Sequence, residues 1–167
     1  FPGGFGTLDE AFEALTLIQT GKSHIFPLVM IDVPGSDYWQ HFLRFCQDVL
    51  LARKLISPWD LSLFKVTTSV DQAVEEVLGF YRVYHSMRYV RGDLVVRLQK
   101  LLREETLAKI REEFQDIVKS GTFEPTAALP NEYGDAHLAH LPRLKFRFDR
   151  HKLGRLRQLI DVINREG

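Results

Sequence analysis

Cysteine is nearly missing from this chain. Cys46 is the single one in 167 residues, which excludes an internal disulfide framework and fits a reducing, cytoplasmic compartment. An excess of one charge is missing too. Lys plus Arg and Asp plus Glu both number 22, so no global basic field marks nucleic acid as a partner. No apolar run approaches the length of a membrane span, and no internal repeat or low-complexity stretch is present. Two common nucleotide signatures fail as well. No Gly-Lys-Ser/Thr follows the glycine-rich stretch, and the third glycine of a dinucleotide fingerprint would fall on Asp9. The composition, 45% hydrophobic and 26% charged, suffices for one core or two small ones.

The opening run is Phe1-Pro2-Gly3-Gly4-Phe5-Gly6-Thr7-Leu8-Asp9-Glu10. Three glycines lead into an amphipathic helix expected from Thr7 to about Gln19, with Leu8, Ala11, Phe12, Leu15 and Ile18 on one face. Glycine lets backbone approach a ligand closely. A helix N-terminus offers unpaired N–H groups that suit a phosphate. Thr7 and Glu10 have the spacing of a capping box, with Thr7 as N-cap. The same two residues, set behind Gly-Gly-x-Gly, also suit a nucleoside monophosphate: phosphate on the loop amides, carboxylate at the ribose. Such a loop usually follows a parallel strand, so the chain is expected to be the C-terminal part of a longer protein.

The remaining pattern predicts an α/β chain. Pro27 to Val33 reads as a strand buried on both faces. A helix follows from Tyr38 to Lys54, with Tyr38, Phe42, Phe45, Cys46 and Val49 buried. Leu55 to Asp60 reads as loop and Leu63 to Thr67 as a strand. Ser69 caps a third helix, with Val70, Ala73, Val74, Val77 and Tyr81 inward and Glu75 and Glu76 in water. This alternation predicts half of a parallel, doubly wound sheet over 1–89, its other strands supplied from outside the chain. Over 90–167 the expectation is a small α+β domain of order β-α-β-β-α. Its strands are Asp93 to Leu98, Phe123 to Leu129 and Leu144 to Asp149. Its helices are Glu104 to Ser120 and a terminal one marked by Leu153, Leu156, Ile160 and Ile163. Pro125 confines its strand to an edge or bulge, and 130–142 reads as polar loop.

Pro2-Gly3-Gly4-Phe5-Gly6-Thr7-Leu8-Asp9-Glu10 resembles the PGGxGTxxE signature of the Lonely Guy family, long carried under a lysine decarboxylase label. The resemblance continues through Gln19-Thr20-Gly21-Lys22, Pro27 and Asp37-Tyr38-Trp39, and covers roughly 1–85. It implies a Rossmann-like domain and a phosphoribohydrolase. Such enzymes split the N-glycosidic bond of a nucleoside 5′-monophosphate, of AMP or cytokinin-nucleotide type, into free base and ribose 5-phosphate. By residue, Glu10 matches the catalytic Glu, and Gly3, Gly4, Gly6 and Thr7 match the phosphate loop. The family also uses an Arg upstream of the motif, which is absent from this sequence. The resemblance implies no cofactor, pyridoxal phosphate included, and a homo-oligomer. The competing expectations are a non-catalytic nucleotide-binding or carrier protein on the same fold, or a purely structural part of an assembly.

Other residues have blander readings. Asp9 is expected to stabilise the helix N-terminus. Cys46 is expected to be a buried, inert thiol. His137, His140 and Asp135 lie close in sequence without a recognised metal-ligand spacing. Arg82, His85, Arg88 and Arg91 form a basic cluster expected on a solvated face.

Overall fold

A computed structural model describes residues 1–132 and 134–167; of the expected loop over 130–142, Tyr133 lies outside the described residues. The fold is mixed α/β and divides into two compact units, residues 1–78 with 150–158, and 79–149 with 159–167.

The first unit begins with α1 (Phe5–Gln19). Its far end closes as expected: Gly21 takes φ 70°, and the amides of Gly21 and Lys22 donate to the carbonyls of Ile18 and Leu17, the pairing that lets a left-handed glycine end a helix. Strand β1 (Leu28–Ile31) lies parallel to β2 (Phe64–Thr67), Leu28 opposite Phe64 and Ile31 opposite Thr67. Between them run α2 (Tyr38–Phe45), a wider helical turn over Cys46–Leu51, and a short 3-10 helix over Pro58–Leu63. The predicted helix to Lys54 is therefore two kinds of helix. It ends at Leu51, short of the expected Lys54; Lys54 itself takes φ 58° in the turn that follows, where the Leu55 amide reaches the Leu50 carbonyl.

The core of this unit is Met30, Trp39, Phe42 and Cys46, with Leu8, Ala11 and Leu15 of α1 packed on it. Phe42 meets Phe12 at 5.2 Å and Phe64 at 5.7 Å between ring centroids. Trp39 is buried and Phe45 is exposed, which reverses the expectation that Phe45 points inward. Burial pushes the Cys46 thiol pKa up, so it is a poor thiolate. Strand β1 is not buried on both faces: Met30 alone among its residues is fully buried.

Helix α3 (Val70–Phe80) also reverses its expected facing. The reversal is partial: Ala73 is buried and Glu75 exposed as expected, but Val70, Val74, Val77 and Tyr81 are exposed, while Glu76 turns inward. Glu76 pairs with Lys65 at 3.1 Å and with Arg157. Burial raises its pKa, but the hydrogen bonds from Arg157 and Lys65 outweigh that and hold it below the ordinary value. The partner on Arg157 lies 81 residues away, so no local pattern could announce it.

The second unit is a four-stranded antiparallel sheet in the order β3-β4-β6-β5. It comprises β3 (Tyr84–Val90), β4 (Asp93–Leu98), β5 (Val118–Thr126) and β6 (Arg143–Phe148), with α4 (Glu104–Glu113) and α5 (Leu153–Glu166). The order is β-β-α-β-β-α. The added strand β3 forms a hairpin with β4 through Arg91 and Gly92, both at positive φ. The helix expected to Ser120 stops at Glu113, and Gly121 belongs to β5, at φ 76° beside an irregular register. Pro125 lies in β5, an edge strand as expected. Leu94 and Val96 sit opposite Phe146 and Leu144, all fully or nearly fully buried.

The opposite face of this sheet carries charge. Arg97 and Arg143 face each other across β4 and β6 and are both buried. Glu132, from the supposedly solvated loop, accepts from Arg97 Nε and Nη2 at 3.0 and 2.7 Å, from Arg143 Nε at 3.0 Å, and from the Leu129 amide at 3.0 Å. Asp135 accepts from Arg97 Nη2 at 2.6 Å and from Arg88. Burial pushes the Glu132 pKa up, yet Arg143, the Leu129 amide and Arg97 pull it from 4.5 down to about 2. His85 is pushed down by its own burial and then by Arg97 and the neighbouring histidines.

A carboxyl pKa depressed on folding contributes stability above its unfolded value, lost as pH falls toward the folded one. The second unit should therefore lose stability progressively between pH 4.5 and about 2. Glu132→Gln, which leaves two buried guanidiniums short of a counter-charge, should destabilise by about 3–5 kcal/mol and flatten that acid limb. Urea unfolding at pH 7 and pH 3 measures both. A change under about 1 kcal/mol would mean the network contributes no more than a surface pair.

Candidate functional site

Three helix N-termini and two strand C-termini are linked in the first unit. Asp32 follows β1 directly. Its amide donates to the Thr67 carbonyl at 2.9 Å, which zips the ends of the parallel strands together. Its carboxylate is buried and accepts from the Trp39 amide at 3.0 Å and the Ser36 hydroxyl at 3.1 Å. The Ser36 hydroxyl in turn accepts from the Tyr38 amide at 3.3 Å. The first amides of α2 are thus spent on side chains. Helix α3 is capped as predicted, with the Gln72 amide donating to Ser69 Oγ at 3.3 Å.

Helix α1 differs. Gly4, not Thr7, is its N-cap, in extended conformation, and no side chain caps it. The first backbone bond of the helix runs from the Leu8 amide to the Gly4 carbonyl at 3.3 Å. The amides of Gly4, Phe5, Gly6 and Thr7 therefore have no acceptor among the described residues, as the first four N–H groups of an uncapped helix must. The expected Thr7–Glu10 capping box does not form. A capping box does form between Ser57 and Asp60, where Asp60 accepts from the Ser57 amide at 2.8 Å, in a segment expected to be loop.

The shift of the helix start moves the carboxylates. Asp9 and Glu10 lie in the second turn, and no acid occupies the first. Repulsion of an anion from the N-terminal amides is correspondingly weaker. Glu10 is exposed and falls four residues after Gly6, on the same face. Long helical side chains lean toward the N-terminus, so Glu10 is directed over Gly6. Open space surrounds Gly4 and Gly6: a Cβ at either would meet nothing within 4 Å. Gly3 is the opposite case. A Cβ there would run into Thr7 Oγ1, so the Thr7 side chain lies against Gly3 instead of capping. The Gly3 carbonyl accepts from Tyr38 Oη at 2.8 Å.

A cleft of about 950 Å³, lined by Gln19, Thr20, Lys54, Ile56, Arg150 and His151 among others, lies at the other end of α1. Fifteen residues of helix put it about 22 Å along the axis. Two helix C-termini meet there, whose partial negative charge suits cations such as Lys54 and accounts for them without a ligand.

Of the lesser candidates, Asp135 is held by Arg88 and Arg97, as described, and no group of three or more metal-ligating side chains occurs among the described residues. The basic cluster is solvated in part, as expected: Arg82 and Arg91 are exposed, whereas His85, with Nδ1 2.9 Å from Ser86 Oγ, and Arg88, on Asp135, are half-buried. The motif carries no site role for Asp32 or for Tyr38, although Tyr38 lies in the Asp37-Tyr38-Trp39 stretch of the resemblance; Asp32, an acid at the close of an apolar strand five residues before that stretch, is the available signal.

Residues 1–77 match the model of a family described as "Possible lysine decarboxylase". The matched span holds the glycine loop, Glu10, Asp32 and Tyr38. No curated protein matches the chain. No helix among the described residues is long and apolar enough to cross a membrane.

The glycines separate packing from access. Gly6→Ala should fold normally, gain up to about 1 kcal/mol of stability from helix propensity and so melt higher, while its methyl group narrows the space between the amides and Glu10. Gly3→Ala should instead destabilise through Thr7. Thermal melts of both variants check this; equal melting temperatures would show that Thr7 yields freely.

Proposed function

We propose that the chain binds a nucleoside 5′-monophosphate with its phosphate on the loop of Gly3, Gly4, Gly6 and Thr7, and that Glu10 serves hydrolysis of the N-glycosidic bond. The observation that carries the reading is the row of four amides without acceptors, Gly4 to Thr7, with one carboxylate a turn further on the same face. The family match over 1–77 supports it. The phosphate of the substrate is a dianion that would satisfy several of these amides at once.

The chemistry follows from the charge that develops. As the C1′–N bond breaks, its electron pair leaves with the base and positive charge builds on the ribose ring, as in glycoside hydrolysis. The Glu10 carboxylate stabilises that charge and takes a proton from the attacking water. The water oxygen bonds to C1′, and a proton ends on the departing base. The products are free base and ribose 5-phosphate.

Glu10 caps nothing in this fold, so Glu10→Gln should leave the melting temperature unchanged. Release of ribose 5-phosphate from AMP should fall at least about 100-fold. Wild-type turnover in that variant would remove Glu10 from the mechanism. AMP binding without turnover in the parent chain would favour the non-catalytic nucleotide-binding or carrier reading.

We also propose that the β1-β2 sheet is completed by other strands, from a further segment or a second copy of the chain. Each strand has the other as its sole strand partner among the described residues, and parallel pairs are ordinarily covered. Light scattering with intact-mass analysis should report an oligomer or a co-purifying peptide. A stable monomer of 19.3 kDa with no companion would overturn the proposal.

A further inference from the structure

We infer that Tyr38 is the positioning residue of the glycine loop: its phenol sets which way the first phosphate-facing amide points. The inference deepens the proposed phosphate site and rests on that reading.

The argument is one of peptide geometry. The Gly3 carbonyl accepts from Tyr38 Oη at 2.8 Å. The unit joining Gly3 to Gly4 is planar and trans, as all peptide bonds described here are, so its C=O and its N–H point in opposite directions. A carbonyl held on Tyr38 therefore turns the Gly4 N–H away from Tyr38. Gly4 and Gly6 line open space, and the next three amides, Phe5 to Thr7, belong to the first turn of α1. Without such a tie, a Gly-Gly peptide is free to flip, because glycine accepts both signs of φ. The loop carries no side chain that could cap α1, and the Thr7 side chain against Gly3 fixes position but not the direction of the 3–4 peptide.

Tyr38 is itself held. Its amide donates to Ser36 Oγ and the next amide, of Trp39, donates to Asp32. Its ring meets Trp39 edge-on at 4.9 Å. The buried Asp32 carboxylate at the end of β1 thus fixes the start of α2, α2 fixes Tyr38, and Tyr38 fixes the loop. The sheet orients an amide to which it has no direct bond.

The test is Tyr38→Phe in the full chain, read by NMR with inorganic phosphate, AMP and adenosine as probes. Phenylalanine keeps the ring against Trp39 and removes only the hydroxyl. Before any ligand is added, the Gly3 carbonyl carbon should move upfield as its hydrogen bond is lost, with resonances outside the loop and α2 unchanged. The dissociation constants for phosphate and AMP should rise about 3- to 10-fold, the range of one neutral hydrogen bond. Adenosine, which lacks the phosphate, should be unaffected. Parent-like phosphate and AMP binding in the variant would overturn the positioning role and leave the phosphate site standing, as would equal losses for AMP and adenosine. Absence of any phosphate or AMP shift at Gly4 to Thr7 in the parent chain would overturn the phosphate site and the inference with it.

Discussion

Four backbone amides without acceptors among the described residues are the constraint around which the first unit is arranged. An unpaired N–H tolerates exposure to water or to an anion, but not burial in apolar surroundings. Gly4 to Thr7 therefore have to remain accessible, and their neighbours are compatible with that. Glycines at 4 and 6 keep side chains out of the space. No residue at the N-cap offers an oxygen. Capping side chains are present nearby, at Ser36, Asp32 and Ser69, but they are committed to α2 and α3. Stability alone would favour a Ser, Asp or Asn at position 4, worth about 1 kcal/mol over an uncapped start, though glycine forfeits only part of that. The sacrifice is modest, and it leaves the helix end available to a ligand.

The second unit answers a different constraint, the cost of burying guanidinium groups. Arg97 and Arg143 sit opposite each other on the sheet, an arrangement that repels unless carboxylates intervene. Glu132 and Asp135 intervene, and both come from the long connection between β5 and β6. The connection is thereby tied to the sheet by charge, with Leu141 buried near its end. Breaking one member of such a network leaves its partners buried and uncompensated, which is why these pairs matter more when cut than when formed. Asn164 does comparable work with neutral groups. Its carbonyl accepts from the Val83 and Tyr84 amides at 2.8 and 2.9 Å, and its amide donates to the Phe80 carbonyl at 2.6 Å, so α5 satisfies the backbone that leads into β3.

Local chemistry was readable where it was strong. Gly21 as a helix stop, Ser69 as a cap, Pro125 on an edge strand and the parallel pairing of the two early strands all follow from short-range rules. The failures have a common cause: long-range partners override local pattern. Glu76 looked solvated because its ion pair with Arg157 spans 81 residues, and with Glu76 inward the valines of α3 turn outward. Strand β3 shows no period of two in its burial: Tyr84, Met87 and Val90 are buried, the register shifts between Tyr84 and Ser86, and beyond it Met87 and Val90 fall on opposite faces of a regular ladder. Glu132 lay in a segment whose polarity suggested loop, although polarity there reflects two arginines waiting on the sheet. At the candidate site the motif located Gly3 to Glu10, yet the glycines entered the helix earlier than propensity suggests. A glycine at the first turns forfeits less than one in the interior, since those amides are unpaired in any case.

The displaced helix start has a chemical consequence. With Thr7 as N-cap, Glu10 would reach back to the backbone of residue 7, and its carboxylate would sit among the amides that a phosphate needs. With Gly4 as N-cap, the carboxylate lies about 6 Å further along the axis from Gly6, one turn beyond the uncapped amides. Positive and negative functions are then separated along a single helix face, the amides at its tip and the carboxylate behind them. A ligand that presents an anion at one end and develops a cation a few ångströms away matches that order, whereas a simple anion matches only the tip. The separation depends on where α1 begins, and that is set by the path of the 3–4 peptide. The direction of one glycine carbonyl, hydrogen-bonded by Tyr38, therefore bears on both halves of the proposed site.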